Sequence, residues 1–193
     1  MKNYSVLLIG LLLVSEVTVS DPLSDDDIDR QISAYFSLMP TFIELREKLY
    51  SNEETRKKMS DAPVNSGFRT IVELGKDTSM NDYNKLQSSA LKYGYESVEA
   101  WAFVNDRIST LFGYMANIGQ YPSAYGENTG ITENTDIFSY ISDETKPENV
   151  RQDISSRINK ICDDYCIEAS DLESVGRRYP DLLSTYNEFR NSR

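Results

Sequence analysis

Cys162 and Cys166, in the stretch CDDYC, are the only thiols of the chain. Four residues apart, they fall on one face of a helix, where Cβ atoms stand about 5–6 Å from each other. A disulfide needs roughly 3.5–4.5 Å, so a bridge between them requires the helix to end or fray at this point. An intrachain Cys162–Cys166 disulfide is the expectation. The spacing is not C-x-x-C and no basic group adjoins it, which argues against a redox-cycling pair. Two ligands do not close a structural zinc site, and no metal or other cofactor is expected. The neighbouring acids Asp163, Asp164 and Glu168 are the material from which a carboxylate-based hydrolase could be built, because carboxylate pairs run glycoside chemistry without histidine. Asp163 and Asp164, being adjacent, diverge on a helix.

Histidine is absent from all 193 residues. Its absence excludes Ser/His and Cys/His nucleophile pairs, imidazole metal sites and a histidine pH switch. No catalytic constellation is expected. The triplet Asp25-Asp26-Asp27 follows Ser24 without the Asp/Asn and Gly pattern of a calcium loop, so it reads as a capped helix start that the helix dipole favours. Tyr121 and Tyr125 flank Pro122 in the stretch 119–132, the longest without helical periodicity, and offer a small partner-binding surface.

These residues need elements to hold them, and the best-defined one is SVEAWAFVNDRISTLFGYMANI, Ser97 to Ile118. Trp101, Val104, Ile108, Leu111, Met115 and Ile118 form one apolar stripe, with Phe103 and Tyr114 on one flank and Phe112 on the other. Such a wide apolar sector predicts a central helix that touches several neighbours, with Ser97 as N-cap and Gly119 as its stop. Trp101, Val104, Ile108, Leu111 and Met115 are the expected structural core. Asp106 points away from the stripe and is expected in water, while Arg107 at the stripe's edge should cover apolar surface with its stem.

Around this helix the chain reads as further helices with turn punctuation, without alternating strand runs or repeats. Ile28, Ile32, Tyr35, Met39, Phe42 and Leu49 keep a helical rhythm broken at Arg46, with Pro40 expected to kink or split the helix. Ser79 with Asp82 reads as a cap, Pro147 as a first-turn residue, and Ser170 with Glu173 as a capping box before an interruption near Pro180. The fold expected is all-α, an irregular bundle of about five to seven helices around the central helix 97–118.

The first twenty residues read as a signal peptide. Lys2 supplies a positive start, Val6 to Val14 is uncharged and apolar, and Thr18-Val19-Ser20 offers small residues for cleavage. Residues 21–193 are then a single helical domain in a periplasmic or secreted, oxidising setting. Stable membrane insertion of that part is not expected, since no later run approaches the length of a span. The net charge of −11 opposes nucleic acid and anionic membrane faces.

The segment KYGYESVEAWAFVNDRI, Lys92 to Ile108, together with the opening LSDDDIDRQISAYFSLM, resembles small exported all-helical proteins of Gram-negative bacteria that have no assigned function. The resemblance covers about a quarter of the chain after the leader. It implies a periplasmic, all-helical protein and brings no catalytic residues; Tyr121, Tyr125 and CDDYC lie outside it. The expected function is a non-enzymatic binding or interaction protein of the cell envelope, with an envelope protein as partner. A small-ligand carrier with an interhelical pocket and a carboxylate-based hydrolase are the rival readings.

Overall fold

Ser24 begins the fold as the sequence predicts. Its hydroxyl accepts from the Asp27 N–H at 3.2 Å and its own N–H donates to Asp27 Oδ2 at 3.1 Å, a reciprocal capping box. The structure, a computed structural model, describes residues 22–120, 129–132 and 135–192. Among these residues it is all-α, with nine helices: α1 (Asp25–Ser51), α2 (Glu53–Ser60), α3 (Gly67–Thr78), α4 (Met80–Lys92), α5 (Val98–Gln120), α6 (Ile137–Ser142), α7 (Glu148–Tyr165), α8 (Ala169–Arg177) and α9 (Tyr179–Asn191). The expected signal peptide, Tyr121 and Tyr125 lie outside the described residues.

Several punctuation marks act differently from expectation. Of the kink or split expected at Pro40, the split does not occur, and α1 runs unbroken to Ser51. Proline removes the donor that would have met the Phe36 carbonyl, but Phe36 and Pro40 both lie on the exposed side, where water can serve that carbonyl. Gly119 does not stop α5, which continues to Gln120. Ser170 and Glu173 form no capping box. The helix begins two residues earlier, with Glu168 rather than Ser170 as N-cap, and Glu173 instead pairs with Arg177 at 2.8 Å. Pro180 does separate α8 from α9, sitting in the first turn of α9 where its missing N–H costs nothing.

The core falls into two clusters. One joins the middle and end of α1, α3, α4 and the first turns of α5, with Phe189 from α9. The other joins the start of α1, the later turns of α5 and α6 to α9. The stripe of α5 serves both: Trp101 is buried in the first, Ile108, Leu111 and Met115 are buried in the second, and Val104 packs against each. Trp101 meets Phe42 and Phe68 edge-on at ring-centre distances of 5.6 and 5.7 Å. Where the clusters meet, Gln31 is completely buried. Its Oε1 accepts from Trp101 Nε1 at 3.1 Å and from Asn105 Nδ2 at 2.8 Å, and its Nε2 donates to Asn105 Oδ1. The sequence reading placed no polar residue in this core.

Candidate functional site

The outer side of α5 is the floor of a groove. Phe103, Asp106, Arg107, Thr110, Gly113, Tyr114 and Asn117 follow one another at helical spacing along it. One wall is the segment Asn65 to Arg69 entering α3, with Val64 fully exposed beside it. The other is the end of α7 and the turn after it, Tyr165 to Glu168. Three clefts of about 430, 630 and 460 Å³ open along this line, and Tyr165 borders all of them. Gly113 leaves the middle of the floor bare, since a Cβ there would meet no atom within 4 Å. A mid-helix glycine without a close neighbour has no packing reason of its own.

The upper cleft is polar and rigidly tied. Asp106, expected in water, is buried instead. Its Oδ1 accepts from the Phe68 N–H at 2.8 Å and its Oδ2 from the Arg69 N–H at 3.2 Å and Arg69 Nε at 2.9 Å. The physical reason is that α3 starts without a side-chain cap of its own, Ser66 being turned to the Pro63 carbonyl at 2.8 Å. The carboxylate from α5 fills that role, satisfying orphan donors at the positive end of the helix dipole. No spacing in the sequence could reveal a cap supplied from a different helix.

Arg107 sets its guanidinium over the Phe103 ring and forms an ion pair with Asp171 of α8. Its guanidinium stands 5.7 Å from the Phe103 ring centre and that of Arg69 stands 5.4 Å away, so the ring contacts two cations. Asp171 accepts from the Leu23 N–H at 2.7 Å through its other oxygen, holding the entry of α1 against α8. Both buried acids of the cleft therefore have their lone pairs engaged by the chain itself.

The acids around the cysteines are not brought together. Glu168 lines the upper cleft, Asp164 lines the far one and pairs with Lys160 at 2.5 Å, and Asp163 is exposed and lines neither. Cys162 and Cys166 are both free thiols, so the expected disulfide is not formed in this structure. The helix does end there, as the expectation required: Cys166 is the C-cap of α7 in the left-handed region, φ 52°. The Cys162 carbonyl accepts from the N–H groups of both Cys166 and Ile167. Cys162 is half-buried against the second core cluster, whereas Cys166 is exposed on the cleft wall. Burial pushes the Cys162 thiol up, with the charges of Asp163 and Glu168 adding to it. Burial likewise raises Tyr114, whose ring lies 4.7 Å from that of Tyr165.

Among the described residues no group of three or more Cys, Asp or Glu is arranged to hold a metal ion, and no helix is long and apolar enough to cross a membrane. No protein-family model matches the chain. No solved structure matches it. The chain is similar to the F-box protein SKIP14 of Arabidopsis thaliana, 28% identical over 116 residues, which is 60% of this chain and 24% of that protein. The chain thus spans about a quarter of the length of the curated relative it matches.

Proposed function

We propose that this chain is an exported helical interaction protein, periplasmic or secreted, that binds a segment of a protein partner along the α5 groove and performs no catalysis. The observation that carries this reading is the continuity of the groove: a bare-floored channel between fixed walls, with Val64, Phe103 and Tyr165 offering apolar contact. The engaged carboxylates of Asp106 and Asp171 favour anchoring over proton transfer, since a general acid or base must have its oxygen free to meet a substrate. The clefts open to solvent along a helix, and that favours a partner segment over an enveloped small ligand. Export rests on the basic start, apolar run and small-residue end of the first twenty residues, and on the resemblance to exported helical proteins. Export would also carry Cys162 and Cys166 into an oxidising compartment, the condition for a bridge between them.

The test is in-cell photocrosslinking from Val64 and Thr110 in the groove, with Glu44 on the exposed face of α1 as control. One envelope protein captured reproducibly from Val64 and Thr110, absent from Glu44 and lost in Gly113→Trp, is the expected result. Equal capture from all three positions, or none, overturns the reading.

A further inference from the structure

Cys166 is the one non-glycine residue with positive φ among those described, a conformation that glycine or asparagine usually takes at a helix end. A cysteine held there bears backbone strain without the relief that glycine would give. Its thiol is exposed on the wall of the groove beside Tyr165, while Cys162, one turn back, sits half-buried against the core. The two differ in access and are one turn apart, and α7 runs through Tyr165, so that Cys166 alone of the pair has left the helix.

We propose that Cys166 and Cys162 form a thiol–disulfide exchange site, closed once by an organic disulfide, and that closure fixes the wall of the groove. The proposal rests on the groove being the binding surface. Cys166, the accessible thiol, attacks one sulfur of R–S–S–R as its thiolate; the S–S bond breaks and RS⁻ leaves, taking up the proton that Cys166 lost. Cys162 then attacks the Cys166 sulfur of the mixed disulfide, forming the intrachain bond and releasing the second thiol, R–SH. Two protein thiols are oxidised and one disulfide is reduced to two thiols. Burial, and after it the charges of Asp163 and Glu168, hold the Cys162 proton on, so the second step is the slow one and the site suits a lock more than a cycling catalyst. The bond would draw the Cys166 sulfur off the cleft wall toward Cys162 and pin Tyr165 and Glu168 in place. A pre-set wall loses less entropy on binding.

The experiment takes the reduced protein, exposes it to oxidised glutathione, and follows it by mass spectrometry, amide hydrogen exchange and binding of the dye anilinonaphthalene sulfonate. Expected are a transient glutathione adduct on Cys166 and then an intrachain bridge. Exchange at Cys166 to Glu168 should slow about tenfold, and dye affinity should change several-fold. Cys162→Ser should stop at the adduct, and Cys166→Ser should react far more slowly. A persistent adduct in the native protein, an interchain dimer, or a bridge that leaves exchange and dye binding unchanged overturns the proposal. Gly113→Trp separates the two readings: if blocking the floor leaves dye binding intact, the groove itself is not the binding surface.

Discussion

Asp106 does at residue scale what a cap usually does locally. Its removal leaves the Phe68 and Arg69 N–H groups and the Arg69 Nε–H without their acceptor. Asp106→Ala should therefore lower stability by about 1–3 kcal/mol, read from urea unfolding; an unchanged midpoint would refute the anchoring role. Asp82 gives a pH test. Its carboxylate, almost fully buried, accepts from Lys48 at 2.5 Å and Ser79 at 2.7 Å, and these bonds, the Lys48 one foremost, hold it below its ordinary 3.8 despite burial. A carboxyl whose folded value is depressed adds stability that is full above the unfolded value and is lost as pH falls through the folded one. Stability should thus decline as pH drops below about 4, and Asp82→Asn should flatten that part of the profile. A profile identical in the two proteins would remove Asp82 from the account. Ser79 is the N-cap of α4, as the sequence suggests, but its hydroxyl donates to the Asp82 side chain rather than receiving a backbone N–H, and Asp82 ties α4 to α1 through Lys48.

At the scale of elements, two helical glycines make opposite predictions. Gly176 in α8 lies so close to α6 that an added Cβ would stand 2.5 Å from Phe138 Cε2 and 3.1 Å from Met115 Cε. Gly176→Ala should cost about 1–3 kcal/mol by overpacking. Gly113, with open space beside it, should gain about 1 kcal/mol on change to alanine, because glycine in a helix interior costs that much relative to alanine. Thermal unfolding of the two variants checks both, and a destabilised Gly113→Ala would mean that the floor of the groove is held by contacts other than those seen. A helix that keeps an unneeded glycine on its outer face fits the binding role proposed for that face.

For the molecule as a whole, the decisive feature is that α1 and α5 contribute to both core clusters and are tied at their crossing by Gln31 and Asn105. Neither cluster has a helix set that can leave without exposing the other. Unfolding should be a single transition. Trp101, the only tryptophan, reports on the first cluster, and a Tyr179→Trp variant reports on the second. Their fluorescence midpoints should coincide in urea; separated midpoints would show two independent units.

Periodicity alone made the all-α class and the buried stripe of α5 legible, because burial of one helix face is written every three to four residues. The end of the helix at Cys166 was legible for a similar local reason, since the two thiols and the following turn lie within a few residues. The roles of Asp106, Asp171 and Gln31 were not, because each is set by a donor or acceptor 38, 148 or 74 positions away. The groove is of that second kind. Its floor comes from the polar side of one helix and its walls from the ends of two others, and only packing brings an α3 start and an α7 end to opposite sides of α5. Local patterns determined which faces are apolar; tertiary structure decided which polar groups meet, because those meetings join chain segments that no short spacing relates.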